Sequence, residues 1–137
     1  MALTHLVDTS VLARLGAVPV REILEPLVEA GNVARAGITD LEVGFSARDS
    51  TEWDGLIGAL SAFELIESTA AHVARARQVQ RLLVEGRLRG RKVPDLLIAS
   101  AAEERGLVVL HYDSDFDVIS SVTGQPVEWV VARGSID

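Results

Sequence analysis

The chain has 137 residues, of which 48% are hydrophobic and 24% charged, and its formal net charge at pH 7 is −7. This length and balance predict one globular domain spanning residues 1–137. The absence of cysteine excludes disulfides, zinc–thiolate sites and cysteine nucleophiles. No apolar run reaches the ~18 residues of a membrane span, and an acid interrupts the first apolar stretch. We therefore expect a cytoplasmic protein with no membrane partner.

The N-terminal half alternates short apolar strands with amphipathic helices. The predicted elements are a strand over 2–7, helices over 9–16 and 19–31, a strand over 32–37, and helices over 39–47 and 50–63. We expect Pro26 to kink or split the second helix. Thr39 and Glu42 have the spacing of a capping box, so we expect the third helix to begin at Thr39.

The C-terminal half continues the alternation and contains the clearest strand, a β-branched apolar run over 107–111. The other predicted elements are strands over 64–68 and 126–131 and helices over 69–88, 94–106 and 114–124. Strands that alternate with helices predict an α/β fold, in which helices cover both faces of a mainly parallel sheet.

Five carboxylates lie where such a sheet binds ligands, beyond the carboxyl ends of its strands. Asp8 ends the first strand, and Asp113 and Asp115 follow the strand over 107–111. Asp95 and Glu42 lie near the starts of helices. All five can therefore converge on one edge of the sheet.

Most of these acids also have a purely structural explanation. Asp8 is a suitable N-cap for the helix that follows it. Glu42 can complete a capping box with Thr39, and Asp95 is a favourable charge at the positive end of a helix dipole. Asp113 is harder to explain in this way, because two neighbouring residues would cap the next helix equally well.

Carboxylates gathered without a cation raise one another's pKa and repel, so a divalent metal is the economical explanation for the group. Oxygen ligands favour Mg²⁺ or Mn²⁺ over zinc. A calcium-binding EF-hand is excluded, because counting from Asp113 puts Val118 and Gly124 where that loop requires glycine and glutamate.

Four segments carry these acids in order over essentially the whole chain: LVDTSVL, ITDLEVGFSA, VPDLLIASAA and LHYDSDFDVI. Together they resemble the PIN-domain ribonucleases, specifically the VapC toxins of bacterial toxin–antitoxin modules. The resemblance implies a PIN-like three-layer α/β sandwich whose acid quartet binds one or two Mg²⁺ or Mn²⁺ ions. It also implies a homodimer, a cognate VapB-type antitoxin, and a structured RNA substrate such as transfer RNA.

Carried over to this sequence, Asp8 and Asp95 match the principal metal ligands of the family. Glu42 and Asp113 complete the quartet, and Asp115 matches an additional acid. The resemblance thus implies that these five residues bind metal and act in catalysis, in which metal-activated water attacks an RNA phosphodiester.

Ser10 matches a small hydroxyl position of the family and is expected to orient a ligand or water. Residues 72–92 contain seven basic side chains against a single acid, and Arg89, Arg91 and Lys92 are the candidates for RNA phosphate contacts. The alternative is that this stripe is only a solvated helix face.

Two further questions stay open at the level of sequence. Trp53, Leu56, Ile57 and Leu60 of the helix over 50–63 belong either to the core or to a groove for a partner. The alternative to a nuclease is a PIN-like metal-binding module that binds RNA or a protein without cutting.

Overall fold

The chain folds as a sandwich of helices around a parallel sheet in a computed structural model, which describes residues 2–137. The strands are β1 (His5–Val7), β2 (Val33–Ala36), β3 (Glu64–Ile66), β4 (Val108–His111) and β5 (Val127–Trp129). The helices are α1 (Thr9–Leu12), α2 (Val18–Glu29), α3 (Gly37–Gly44), α4 (Ser50–Ala59), α5 (Ala70–Glu85), α6 (Val93–Arg105) and α7 (Asp115–Thr123), and a 3₁₀ turn (Leu60–Ala62) follows α4. The predicted α/β architecture is confirmed.

The strand order β3-β2-β1-β4-β5 places β1 at the centre of the sheet, and each neighbouring pair is parallel. From β1 the chain moves outward through β2 and β3, then returns to the other side of β1 to form β4 and β5. The gap between the carboxyl ends of β1 and β4 is therefore the point where the strand order reverses. Ligands of parallel α/β sheets bind at such a point.

Two apolar cores lie on opposite faces of the sheet, because successive residues of a strand point to opposite sides. Leu6 and Val109 belong to the core shared with α5, α6 and α7. Val7 and Leu110 belong to the core shared with α1 and α2. β1 and β4 thus each contribute to both layers, and their pairing places Val7 beside Leu110 at the carboxyl ends of the two strands.

One of the two alternatives for Pro26 is excluded, and the predicted start of α3 is wrong. Helix α2 is not split at Pro26, since both Pro26 and the residue one turn earlier, Glu22, are exposed and water can satisfy the freed carbonyl. Helix α3 begins at Gly37, two residues before the predicted start, so Thr39 is buried inside the helix and does not cap it.

A capping box does occur at α5. Thr69 Oγ1 accepts a hydrogen bond from the His72 N–H, and His72 Nδ1 accepts one from the Thr69 N–H. The ring of His72 is buried, and its Nε2 lies 2.8 Å from Glu104 Oε1 on α6. This histidine therefore fixes the start of the longest helix and joins it to α6.

Within residues 2–137, no helix combines the length and apolar character needed to cross a bilayer.

Candidate metal centre

Asp8 lies at the end of β1, at the point where the strand order reverses. Its N–H donates to the Leu110 carbonyl at 2.9 Å, which places it beside the end of β4. Its Oδ2 accepts a 2.9 Å hydrogen bond from the Ser10 N–H, so Asp8 also caps α1. Burial raises the pKa of Asp8, hydrogen bonds from Ser10 oppose that shift, and the negative charge of Glu42 adds to it.

One side-chain hydrogen bond joins the turns after β1 and β4, and another stabilises the turn after β4. Ser10 Oγ accepts the Tyr112 N–H at 2.8 Å, and His111 Nδ1 accepts the Asp113 N–H at 3.1 Å. His111 is fully buried, and burial lowers the pKa of its ring, which favours the neutral form with the proton on Nε2. It is thus a core residue that supports the acid turn. The expected role of Ser10 towards a ligand or water stays a prediction.

Glu42 reaches the same edge of the sheet from α3. Its Oε1 accepts a 2.7 Å hydrogen bond from Thr9 Oγ1, on the first turn after Asp8. The capping-box partnership between Glu42 and Thr39 is therefore absent. The carboxylate is instead directed towards the end of β1.

Helix α6 begins at the same edge and brings Asp95 to the two acids that follow β4. Asp95, Asp113 and Asp115 each offer one carboxylate oxygen within 4.8 Å of the other two, and we call this group the acid triad. The Asp115 N–H donates to Asp113 Oδ1 at 2.9 Å and so fixes the turn that carries both. Asp8 and Glu42 lie outside the triad, but the charge of Asp8 acts on Asp95.

Among the triad acids, Asp95 has the environment that most disfavours the ionised carboxylate. It is 7% exposed, and its buried Oδ2 makes no hydrogen bond. Burial raises the pKa of Asp95 to about 7, and the charges of Asp8 and the other two triad acids contribute, although Lys92 opposes them. A buried carboxylate oxygen without a hydrogen-bond donor is what a cation would satisfy.

Two of the predicted RNA-binding side chains contact the acid triad itself. Lys92 Nζ lies 3.3 Å from Asp115 Oδ2, 3.4 Å from Asp113 Oδ2 and 3.7 Å from Asp95 Oδ2. Arg89 Nε donates to Asp115 Oδ1 at 3.1 Å. Partial burial lowers the pKa of Lys92, but the three acids outweigh it and the net shift is upward.

Arg91, the third predicted RNA-binding residue, does not share this arrangement. Its Nε donates to the Leu88 carbonyl at 2.7 Å within the same loop, and the residue is exposed. RNA contact by all three basic residues stays a prediction.

An apolar groove of about 400 Å³ adjoins the acids on the α4 side. Its lining includes Leu12, Val43, Leu56 and Phe63 together with Thr9 and Glu42. Of the apolar residues noted in the sequence of this region, Leu60 is a core residue, whereas Trp53 is 42% exposed.

The donors gathered here suit a hard cation. Each member of the acid triad offers carboxylate oxygen, the ligand that Mg²⁺ and Mn²⁺ prefer, and neither histidine nor cysteine belongs to it. The unsatisfied Oδ2 of Asp95 fits the same conclusion. The triad can hold a divalent ion. The charge of Asp8 acts on Asp95 of the triad, and the charge of Glu42 acts on Asp8.

Comparison with known proteins shows the family to which the chain belongs. Residues 5–121 match the family model described as PIN domain. Ribonuclease VapC51 of Mycobacterium tuberculosis is 64% identical over 137 residues, which covers all of both chains. The chain belongs to the VapC-type branch of the PIN-domain family. Ribonuclease VapC21 of the same species is 45% identical and covers 98% of this VapC-type chain and 99% of its own.

Solved structures show the same fold. VapBC2 from Rickettsia felis, bound to a DNA fragment from its promoter, aligns with a TM-score of 0.76 at 19% identity and covers 94% of this VapC-type chain and 99% of its own. A toxin–antitoxin complex from Klebsiella pneumoniae aligns with a TM-score of 0.66 at 25% identity and covers 93% and 98% respectively.

Sequence reasoning overlooked two supporting residues of this VapC-type site. Thr9 orients Glu42, and His111 accepts the N–H of Asp113. The signal for Thr9 was its position between Asp8 and Ser10, both of which were singled out. His111 carried no comparable signal, because a histidine at the end of a strand is usually only a core residue.

Proposed function

We propose that this chain is a metal-dependent endoribonuclease toxin of a VapBC-type toxin–antitoxin pair. The observation that carries the proposal is the acid triad of Asp95, Asp113 and Asp115 beside Asp8, at the point where the strand order reverses. The triad brings three carboxylates within 4.8 Å of one another, and Asp95 Oδ2 accepts no hydrogen bond, which suits the site to a divalent metal.

The residues proposed to hold Mg²⁺ or Mn²⁺ are the predicted five, Asp8, Glu42, Asp95, Asp113 and Asp115. When bound, such an ion lowers the pKa of a water molecule and neutralises charge on a phosphodiester. Residues of the chain must meet the remaining requirements. Asp95 must give up its proton, because only the ionised carboxylate binds a cation.

Three hydrogen bonds within the chain orient these carboxylates. The Ser10 N–H fixes Asp8 Oδ2, the Thr9 hydroxyl fixes Glu42, and the Asp115 N–H fixes Asp113. Groups held in this way lose little freedom when a substrate binds, which favours a precise active site. The buried walls formed by His111 and the ends of β1 and β4 limit the access of water from below the sheet edge.

The proposed substrate is structured RNA, with transfer RNA as the first candidate. An acidic site repels the RNA backbone, so nearby cations are needed to position it. The loop that carries Arg89, Arg91 and Lys92 supplies three exposed cations, and two of them, Arg89 and Lys92, contact the triad. This loop is the proposed phosphate contact.

The proposed partners are a VapB-type antitoxin and a second copy of the chain. Support for the antitoxin comes from family membership, since several structural neighbours of the same fold are VapBC complexes. The apolar groove lined by Leu12, Leu56 and Phe63 adjoins Glu42 and offers a surface from which a bound segment would obstruct the acids.

The test is the cleavage of total transfer RNA by the purified protein with Mg²⁺, with Mn²⁺ and with chelator, beside the Asp8→Asn variant. Asparagine caps a helix as well as aspartate, so the variant should fold and keep the Ser10 contact while losing a charged ligand. Discrete metal-dependent fragments that disappear with the variant support the proposal. An equally active, well-folded variant contradicts the role of Asp8.

The second candidate is a PIN-like module that binds RNA or a protein without cutting. It becomes the better account if the folded protein binds Mn²⁺ and RNA but leaves both total transfer RNA and total cellular RNA intact.

A further inference from the structure

Two positively charged side chains of the loop that precedes α6, Lys92 and Arg89, contact the acid triad. Lys92 Nζ lies 3.3–3.7 Å from one oxygen of each triad member. Arg89 binds the remaining oxygen of Asp115 through Nε, and its Nη2 donates to Ser114 Oγ at 3.0 Å. Lys92 and Arg89 are together called the resident cations. Their positive charges neutralise part of the negative charge of the triad carboxylates, which would otherwise repel one another.

The backbone that carries the resident cations is tightly placed. Gly90, between them, is buried with a φ of +88°, and a Cβ there would lie 3.2 Å from the Asp115 carbonyl oxygen. Only glycine adopts this conformation without strain in so close an approach. The loop is thus anchored against the start of α7.

The side chains, by contrast, are free to leave. Those of Lys92 and Arg89 are each 62% exposed, although their charged ends contact acids. Long, flexible stems carry both groups, so each can swing into solvent while the backbone at Gly90 stays in place. The anchored loop therefore permits two side-chain arrangements, one on the acids and one off them.

A divalent ion and Lys92 cannot both use the triad. The ammonium is within 3.7 Å of all three carboxylates that would bind the metal. A metal ion on the same oxygens would lie close to the ammonium, and like charges close together repel strongly in a partly buried site. Whichever cation binds must displace the other. Competition for one set of ligands is the direct consequence of this geometry.

We propose that the resident cations guard the triad until metal binds, and that metal binding releases Lys92 and Arg89 towards the RNA phosphates. This inference rests on the proposed function, because it takes the triad as the metal site. Metal loading and RNA binding are then coupled through two side chains that exchange one anionic partner for another. Such coupling is reciprocal, so RNA must also favour metal binding.

Lys92 could instead only hold the acids in place, and its removal would then change the affinity for metal in the opposite direction. A lysine that served only to hold the acids in place would make metal binding weaker when removed. A lysine that competes with the metal makes binding tighter when removed. The direction of the change therefore separates the two roles.

The deciding experiment is a calorimetric titration of Mn²⁺ into the full chain and its variants at pH 8. Lys92→Met should lower the Kd for Mn²⁺ about fivefold or more, within the usual range of coupling between sites. Arg91→Met is the matched control, since it removes the same charge from the same loop but no contact with the triad, and its Kd should stay within twofold of the parent. Unchanged or weaker binding by Lys92→Met overturns the competition.

Release towards RNA is tested with a mixed-sequence, hydrolysis-resistant phosphorothioate RNA of 12 nucleotides. Adding Mn²⁺ should steepen the salt dependence of its binding, and by about 1.4 more in the parent than in the Arg89→Met/Lys92→Met variant, since two freed cations contribute about 0.7 each. An equal change in both proteins overturns the release.

The same titrations separate failure of this inference from failure of the proposed function. Asp95→Asn should abolish the Mn²⁺ signal if the triad is the metal site. Binding that Asp95→Asn abolishes and Lys92→Met leaves unchanged overturns only the guarding role. No Mn²⁺ binding by either the parent or Lys92→Met overturns the metal centre and this inference together.

Discussion

Thr9 Oγ1 donates a 2.7 Å hydrogen bond to Glu42 Oε1, which joins two residues 33 positions apart. The bond links the turn after β1 to α3 and gives Glu42 one fixed direction. Glu42 is one of the proposed metal ligands, and residues that orient a metal ligand typically contribute 10- to 100-fold to activity or metal affinity. We therefore expect Thr9 to be a positioning residue, whose contribution can be measured separately from that of the acids.

We expect Thr9→Val to reduce RNA cleavage about 10- to 100-fold, because valine keeps the shape of threonine but cannot donate to Glu42. The measurement is the initial rate of transfer RNA cleavage at saturating Mn²⁺. Thr9→Ser retains the hydroxyl and is the matched control, which should stay within a few-fold of the parent. Full activity of a folded Thr9→Val protein would show that Glu42 needs no support.

The pKa of Asp95, raised to about 7, predicts that Asp95→Asn stabilises the metal-free protein. Between pH 3.8 and about 7 the folded state binds a proton that the unfolded state releases, so stability falls as pH rises through this window. The neutral amide avoids that loss. At pH 8 the variant should gain roughly 1–4 kcal/mol, and this advantage should shrink as pH falls below 7.

Urea unfolding with chelator present, at pH 5 and pH 8, measures this effect. Asp117→Asn is a useful control, because its carboxylate is exposed and accepts a hydrogen bond from Trp129 Nε1, outside the triad. A stability difference between Asp95→Asn and the parent that does not vary with pH would contradict the raised pKa.

Mn²⁺ should stabilise the protein, and more strongly at pH 8 than at pH 6. A ligand at one hundred times its Kd adds about 2.7 kcal/mol to the free energy of unfolding. Binding requires ionised Asp95, so Mn²⁺ affinity should fall as pH drops through about 7. Thermal unfolding with Mn²⁺ or chelator at both pH values gives the comparison. An equal rise of Tm in Asp95→Asn would place the ion elsewhere.

His72→Ala should destabilise the fold without changing the acids. The ring is buried, accepts the Thr69 N–H and contacts Glu104, so its removal breaks one of the two hydrogen bonds of the capping box and leaves a cavity, while Thr69 Oγ1 still accepts the backbone N–H of residue 72. Loss of half a capping box costs less than loss of a whole cap, which is about 0.5–2 kcal/mol, and the cavity adds to this. Chemical denaturation should therefore show a loss of roughly 2–4 kcal/mol.

Arg75→Met provides the comparison for His72, since Arg75 joins the same two helices through Glu103. That ion pair is partly exposed and should contribute no more than about 1 kcal/mol. If both variants lose the same stability, the capping box of α5 is not what fixes this helix.

Much of the fold could be predicted because it depends on local patterns. The β-branched run before His111 and the amphipathic spacing of α5 identify their elements with no knowledge of their neighbours. The errors occurred where local rules compete. Thr39 has the right spacing to cap a helix, but burial against the core gives it a place inside α3 instead.

The candidate site was predictable in composition but not in its contacts. The acids stand at the ends of apolar runs, so the sequence indicates that they meet at one edge of the sheet. It does not indicate that Glu42 accepts a hydrogen bond from Thr9 rather than Thr39, or that the ammonium of Lys92 contacts Asp113. Such contacts join residues far apart in the chain, and no local pattern encodes them.

The sequence by itself therefore determined the residue types of the site, its oxygen-rich chemistry and the alternation of strands and helices. Only the tertiary structure decided which acids form the triad and which cations lie on it. The physical reason is the strand order: with β1 between β2 and β4, residues from distant segments meet at one edge. Burial at that edge then sets the pKa of Asp95, which is a property of the assembled environment and not of the residue type.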